Sequence, residues 1–328
     1  MAYNGLLMMM YKCAKYIVIG GFFMSKGLLL ENLLNEYLLE IQLKNYSDRT
    51  LKSVRNNNLL FFSFLKAEFN ITTLEKLSHM HIKAYIKHKQ SLGLKATYIN
   101  SILKNLSMFF NYLQEEDYVS INYVKKVRWQ KEEKVIIKSF NDKEVSKMMQ
   151  VYNYSNHINA RNACIMAMLF DTGIRNSELC NIRTCDIKEN AILIFGKGKK
   201  ERFVPITPSL AKVMLRYEQK RRLFVKEHYA YEYYFLSQKG KKLTPEAIKR
   251  VVKHCGKQAN VRKEIRCSPH TCRHYYAQAQ LRNGLDVYSV SRLLGHDNIS
   301  ITKRYLQSIQ DEDVLRMAIK TSPLMNIR

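Results

Sequence analysis

Acidic residues are scarce in this chain. Its 328 residues include 28 Asp and Glu against 54 Lys and Arg, a formal charge of +26. Such an excess repels itself in a compact fold unless a polyanion offsets it. The imbalance runs the length of the chain. Residues 1–138 hold 20 basic and 11 acidic side chains, net +9, and residues 139–328 hold 34 and 17, net +17. Both halves are basic, as expected if both meet one polyanion. A merely basic soluble protein is the plain alternative, but phosphates bind Lys and Arg with little regard to base sequence, so nucleic acid leads.

Long apolar runs are missing too. Residues 5–24 are apolar, but Lys12 and Lys15 interrupt them. The uninterrupted run, Tyr16 to Met24, is far too short to span a bilayer, and no small-x-small cleavage site follows it. No membrane association is expected. Residues 1–28 read as an N-terminal extension, with Met24 as a candidate later start. Seven cysteines, odd in number and irregularly spaced, do not make a disulfide framework in a chain of this size and read as reduced cytosolic thiols. Cys267, His270, Cys272 and His274 lie close together, but no second Cys pair has zinc spacing. A Walker-type loop is absent, because Gly196-Lys197-Gly198-Lys199-Lys200 lacks its spacing and closing Ser or Thr. No internal repeat or low-complexity tract stands out.

What is present is helical periodicity. Leu30, Leu33, Leu34, Tyr37, Leu38 and Ile41 recur at three- and four-residue steps and predict a helix from about residue 29. A second starts near Ser47 and runs through Leu59, Phe62 and Leu65. A third covers roughly 73–91 and a fourth roughly 96–114, with Tyr98, Ile102, Leu106, Phe109, Phe110 and Leu113 on one face. Such aromatic stripes read as core rather than as a base-stacking surface. Residues 29–124 therefore form an all-helical domain. The charged stretch 125–138, which holds the single tryptophan, reads as a linker. A new start follows, where Asn141 and Glu144 fit a capping box.

In the second half, a helix over Ala160–Asp171 ends at Thr172-Gly173, and another begins near Asn176. Residues 191–206 (AILIFGKGKKERFVPI) read as a hairpin around a Gly-Lys-Gly turn. Everything beyond about 208 reads as helix. The fold class expected is mainly α with a small β-sheet.

Four segments carry candidate chemistry. In Thr172-Gly173-Ile174-Arg175-Asn176-Ser177-Glu178-Leu179, a glycine turn sets Arg175 at the start of a helix, where a guanidinium can fork onto two phosphate oxygens. In the hairpin tip, glycines flank Lys197 and let the backbone come close to a ligand. In Pro269-His270-Thr271-Cys272-Arg273-His274, His270 and Arg273 share a helix face. In Leu293-Leu294-Gly295-His296-Asp297-Asn298, a turn and a helix from about Ser300 bring Tyr305, nine residues past His296, back toward the imidazole. Each alone is weak, and Tyr305 is one of 21 tyrosines.

In this order, the four closely resemble the tyrosine recombinases, also called phage-type integrases. The resemblance covers 139–310 as the catalytic domain. Less specifically, it makes 29–124 the SAM-like core-binding, DNA-binding domain and 311–328 a C-terminal tail that is a candidate subunit-exchange helix. It implies that Arg175 and Arg273 clamp the scissile phosphate, and that His270 assists as base or hydrogen-bond partner. Lys197 would protonate the departing 5′ oxygen, with Lys199 and Lys200 as local alternatives. His296 would donate to the phosphate, and Tyr305 would attack phosphorus to form a 3′-phosphotyrosine. It further implies cytoplasmic action on double-stranded DNA sites as a homo-tetramer, with accessory proteins as candidate partners and no metal or other cofactor. Cationic surroundings are expected to lower the Tyr305 phenol from its usual pKa of about 10.

His274-Tyr275-Tyr276-Ala277 and Asn122-Tyr123 depart from the family's usual pattern and leave the subfamily open. The leading biological reading is integration or excision of a mobile element, and the alternative is Xer-type resolution of chromosome or plasmid dimers. A type IB topoisomerase and a DNA-binding module without catalysis are the more distant readings.

Overall fold

The computed structural model describes residues 27–133, 137–196, 200–225, 232–306 and 311–320. The chain divides into two compact units, 1–134 and 135–328.

The first unit is built from α1 (Leu30–Leu43), α2 (Asp48–Phe69), α3 (His79–Ser91) and α4 (Ala96–Glu115). Leu30, Leu33, Leu34, Tyr37 and Ile41 of α1 are buried, as their spacing predicts. Ser47 starts α2 by accepting from the Thr50 amide at 3.3 Å, and Asn70, at φ 52°, ends it in the left-handed region. The buried stripe of α4 is Ile99, Ile102, Leu103, Leu106, Phe109, Phe110 and Leu113; Tyr98, expected on it, is exposed. The aromatic residues are core: the Tyr37 and Phe109 ring centroids lie 5.8 Å apart, and those of Phe61 and Tyr85 lie 5.1 Å apart. The third helix begins at His79 rather than near 73. Residues 72–74 are tied to 28–30 by backbone bonds, Leu30 N to Thr72 O and Leu74 N to Leu28 O, so they cannot also enter a helix.

Much of the stretch read as linker packs on this unit. Asn122 accepts from the Val124 amide at 2.8 Å and caps a short 3₁₀ turn, Tyr123–Lys126. Val127 is buried. The Asn100 side chain then grips Gln130 at both backbone groups, accepting from N at 2.8 Å and donating to O at 2.9 Å.

The second unit holds α5 (Asp142–Gln150), α6 (His157–Thr172), α7 (Asn176–Asn181), β1 (Ala191–Phe195), β2 (Glu201–Pro205), α8 (Pro208–Val225) and α9 (Pro245–Gln258). These are followed by α10 (Pro269–Arg282), α11 (Val287–Leu294), α12 (Ile299–Leu306) and α13 (Asp311–Lys320). Asn141 and Glu144 form the expected capping box of α5. The strands pair antiparallel, with Ala191 opposite Pro205 and Phe195 opposite Glu201. Residues 232–243 are not helical: Tyr233 bridges to Arg183, and Leu236 to Lys242. The architecture is mainly α with one small two-stranded sheet among the described residues.

Helix α6 is the centre of this unit. Ala160 to Phe170 are buried all round, which marks a helix enclosed by others rather than one lying on a surface. Its buried residues include the small side chains Ala160, Ala163, Cys164 and Ala167, and α8 and α10 pack against it. It ends at Gly173, with φ at 60°. A β-carbon there would overlap the Tyr276 ring and sit 2.9 Å from Leu294 Cδ2. Gly173→Ala is therefore expected to destabilise the protein by about 2–4 kcal/mol, read as a lowered midpoint in urea; unchanged stability would contradict this packing. Among the described residues, no helix is long and apolar enough to cross a membrane.

Candidate active site

The site is assembled on α10. Pro269 occupies its first turn, and Ser268 caps it by accepting from the Thr271 amide at 3.3 Å. The helix divides its residues among three surroundings. Cys272 enters the main core around α6, so the Cys267, His270, Cys272 and His274 set does not converge as zinc ligands. Tyr276 and Ala277 join a smaller apolar cluster with Val290 and Leu294 of α11 and Tyr305 of α12. His270, Arg273 and His274 occupy the remaining side. Spacing of three and four residues puts them on one face, and the two imidazole rings meet edge-on at 4.1 Å.

Three arginines converge on the C-terminus of α11. A helix end leaves carbonyls without intrahelical partners and carries partial negative charge, so it attracts cations. Arg202 Nε donates to Leu293 O at 2.8 Å, Arg273 Nη2 to Leu294 O at 2.7 Å, and Arg175 Nη2 to Gly295 O at 2.8 Å. Gly295, at φ 64°, turns the chain there. Arg273 Nη1 also donates to Gly173 O at 2.8 Å, tying the ends of α6 and α11 together. Arg273 is 3% exposed. Burial first, and then Arg175, pull its guanidinium down to about 10, so it remains a cation at neutral pH.

Glu178 organises this cluster from below. It accepts from Arg175 N at 2.9 Å, Arg175 Nη1 at 2.8 Å, Arg202 Nη1 at 3.0 Å and Arg202 Nη2 at 2.7 Å. Burial alone would raise its carboxyl, but the hydrogen bonds and charge of Arg202, followed by those of Arg175, hold it at about 2. One buried carboxylate thus fixes two guanidinium groups, leaving the Arg175 side chain 37% exposed at the site.

Tyr305 is brought to the site by α12, and its hydroxyl lies 3.0 Å from His274 Nδ1. The phenol is raised, not lowered. Burial outweighs the opposing charges of Arg273, Arg304 and Arg175. The sequence supplied the cations but not the burial, which comes from packing against Tyr276 and Leu294.

His296 sits just past Gly295. Its Nε2 accepts from Arg273 Nη2 at 2.9 Å, so the ring proton is on Nδ1 and is donated to Thr302 Oγ1 at 2.7 Å. Burial, then Arg273 and Arg175, hold His296 down at about 4, and burial with His270 and Arg273 does the same to His274. His270 is lowered by burial and Arg273 as well. An unfolded chain takes up protons on His296 and His274 near their ordinary pKa of about 6.5, while the fold refuses them until about 4. Their contribution to stability is present above about 6.5 and is lost as pH falls toward 4. Thermal midpoints measured across this window should fall, and should fall less in His296→Asn. An equal fall in the variant would contradict the buried, neutral imidazole.

Lys197 and Lys199 lie outside the described residues. The flanks of their turn are placed: Gly196 N donates to Lys200 O at 2.7 Å, and Lys200 pairs with Asp297, the residue after His296. Arg175, His270, Arg273, His296 and Tyr305 are all brought to the ends of α6 and α11 and the adjoining faces of α10 and α12. Three residues given no role in the sequence reading also belong to this constellation: Glu178, Arg202 and His274. Each lies inside a motif stretch already singled out, but a motif gives no indication of which neighbours its other side chains will meet. Among the described residues, no three His, Cys, Asp or Glu side chains cluster as metal ligands.

The architecture is that of site-specific recombinases. A XerH recombinase bound to palindromic difH substrate superposes with a TM-score of 0.68 at 19% identity, covering 96% of this chain and 93% of that one. A lambda integrase tetramer bound to a Holliday junction gives 0.68 at 18%, covering 86% and 78%. At such identities the likeness is one of fold. Residues 138–312 match the phage integrase family. The tyrosine recombinase XerC of Anoxybacillus flavithermus is 31% identical over 284 residues, 85% of this chain and 93% of the relative. That of Staphylococcus epidermidis is 29% identical over 289 residues, 88% and 95%. The chain belongs to the phage integrase family and is a tyrosine-type site-specific recombinase.

Proposed function

We propose that this protein cuts and rejoins DNA at specific sites through a 3′-phosphotyrosine at Tyr305, in the Xer-type role of resolving chromosome or plasmid dimers. The observation that carries the chemistry is the convergence of Tyr305 with two arginines and three histidines on α10 and its neighbours. A phosphodiester transition state gathers negative charge on its nonbridging oxygens, and preorganised Arg and His donors stabilise that charge. Arg175 and Arg273 are already held in place by Glu178 and by the carbonyls of α11, so little reorganisation remains when DNA enters. In cleavage, the Tyr305 Oη–phosphorus bond forms and the phosphorus–O5′ bond breaks. Lys197 gives its proton to the departing 5′ oxygen. A 5′-hydroxyl from another strand reverses the step, and because the covalent link keeps the bond energy, no ATP is required.

The biological role rests on the relatives. XerC recombinases align over 85–88% of this chain, which favours the Xer-type reading over the mobile-element reading expected first. Double-stranded DNA sites are the proposed partner, with the net charge of +26 supplying affinity largely independent of sequence. A homo-tetramer on DNA is the proposed assembly, as in the lambda integrase tetramer bound to a Holliday junction. Helix α13, with Val314, Leu315 and Ile319 exposed, is read as docking on a neighbouring subunit. The site of action is the cytoplasm.

Loss of the protein in its own host should leave plasmid or chromosome dimers unresolved, visible as multimers on a gel. Restoration by wild type but not by Tyr305→Phe is expected. Unchanged monomer content in the deletion strain, alongside loss of a mobile element's excision product, would overturn the role. Lys197→Ala should slow cleavage about 10²–10³-fold and be rescued on DNA with a 5′-bridging sulfur, which departs without a proton. A defect that the sulfur does not relieve would remove Lys197 as the acid.

A further inference from the structure

We propose that His274 is the general base that receives the phenol proton as Tyr305 attacks, a role separate from that of His270 one turn earlier. The inference rests on the phosphotyrosine reading above. The motif resemblance gave His270 the choice of base or hydrogen-bond partner and gave His274 none. The geometry separates them.

His274 Nδ1 lies 3.0 Å from Tyr305 Oη, within reach for a proton transfer. The pose is held from both sides. Tyr305 is 3% exposed, packed in the apolar cluster of α10, α11 and α12. The His274 ring lies 5.4 Å from the Tyr305 ring and meets the His270 ring at 4.1 Å and 62°. An exposed phenol can lose its proton to bulk water, but this buried one meets an imidazole.

The state of that imidazole suits the task. The groups facing it are His270 and Arg273 on its own helix, His296 after α11, and Arg304 and Tyr305 on α12. Burial and the cationic members of this set keep the ring neutral at physiological pH, so Nδ1 can accept. A base this weak needs its proton affinity to rise at the moment of use. The entering phosphodiester supplies that rise, because its negative charge settles among the same arginines and offsets the field that depresses His274. Bond formation to phosphorus makes the phenol more acidic at the same time.

The Tyr305 Oη–phosphorus bond forms, and the phenol proton passes to His274 Nδ1. The phosphorus–O5′ bond breaks, and the 5′ oxygen takes a proton from Lys197. In rejoining, each proton returns along the same route. His270 is left to the nonbridging oxygens.

The test is single-turnover cleavage of a nicked suicide duplex carrying the genomic segment that the protein protects in a footprint. His274→Asn keeps a hydrogen-bonding group near the place of Nδ1 but cannot take the proton, and His274→Ala keeps neither. Rates are read from about pH 6 to about pH 10, a window in which His274 stays neutral and each unit raises the phenolate fraction of Tyr305 about tenfold, on duplexes with the normal 5′ oxygen and with a 5′-bridging sulfur. Both variants are expected to cleave about 10²–10³-fold slower at neutral pH. The defect should persist on the sulfur duplex and shrink as rising pH supplies phenolate.

A His274→Asn variant as fast as wild type overturns the proposal. So does a defect that sulfur erases, or one that stays constant to the highest pH. A defect matched by lost duplex binding and a lowered melting midpoint overturns it in favour of a structural role. If wild type forms no covalent adduct with the duplex, the phosphotyrosine reading itself fails, an outcome distinct from a slow variant beside an active control.

Discussion

Tyr305→Phe is expected to abolish covalent capture of DNA while leaving the protein folded and able to bind. The substitution removes one oxygen. The ring stays in its cluster with Tyr276, Leu294 and Val290, so the packing around α12 is retained. The lost hydrogen bond to His274 is worth about 1 kcal/mol, and the hydroxyl's burial contributed a penalty that also disappears. Stability should therefore change by less than about 1 kcal/mol in either direction. Cleavage should fall by on the order of 10⁴-fold or more, the scale on which enzymes respond to loss of a covalent nucleophile. Single-turnover cleavage of a suicide duplex measures the first quantity, and a gel shift on the same duplex shows that binding survives. Residual cleavage within about 10²-fold of wild type would mean that another group attacks phosphorus.

Arg273→Ala should show the second largest effect, and it should appear in both activity and stability. The guanidinium donates to Gly173 O, Leu294 O and His296 Nε2 at 2.8, 2.7 and 2.9 Å. Truncation leaves those acceptors without their donor in a buried place, at about 1–3 kcal/mol for each that finds no water. It also unties the end of α6 from the end of α11 and lets His296 rotate. Cleavage should drop by about 10³-fold or more, since both a charge and a fork of donors to the transition state are lost. Arg273→Lys restores the charge but not the planar fork, so it should recover part of the stability and little of the rate. Equal recovery of both would indicate that charge alone matters at this position.

Much of the scaffold was legible in the sequence, because periodicity reports which face of a helix is buried. Leu30, Leu33, Leu34, Tyr37 and Ile41 lie inward as their spacing predicts, and Asn141 with Glu144 starts α5 as the capping pattern predicts. The hairpin appears where Gly-Lys-Gly separates two β-rich runs. The start of α3 was not legible. Residues 72–74 bond to a segment more than 40 residues away in sequence, and local pattern carries no trace of that pairing. Residues 125–133 looked like linker because charge dominates them, yet Val127 is buried and Asn100 and Gln90 both bond Gln130 to the helical unit.

The site divides in the same way. Arg175, His270, Arg273, His296 and Tyr305 stood out because each sits in a stretch with recognisable company. Glu178, Arg202 and His274 stood in the same stretches, but their roles depend on what they meet across the fold. Glu178 meets Arg202 from β2, Arg202 meets the end of α11, and His274 meets Tyr305 from α12. The direction of the Tyr305 shift failed for a related reason. Nearby arginines could be read off the chain, but desolvation is a property of the packed cluster, and here it is the larger effect. The role in the cell was open on size and motifs alone, and likeness to XerC recombinases over 85–88% of the chain favours the Xer-type proposal.

Every role proposed for the site depends on covalent attachment of DNA to Tyr305. That attachment is tested most directly by trapping wild-type protein on a nicked suicide duplex, digesting with trypsin and nuclease, and sequencing the nucleotide-linked peptide by mass spectrometry. Cleavage after Arg304 and Arg316 yields the peptide 305–316, YLQSIQDEDVLR. The expected result is that peptide carrying a nucleotide 3′-phosphate on its first residue, Tyr305. A linkage on any other residue, or no linked peptide from a duplex that the protein demonstrably cuts, would contradict it.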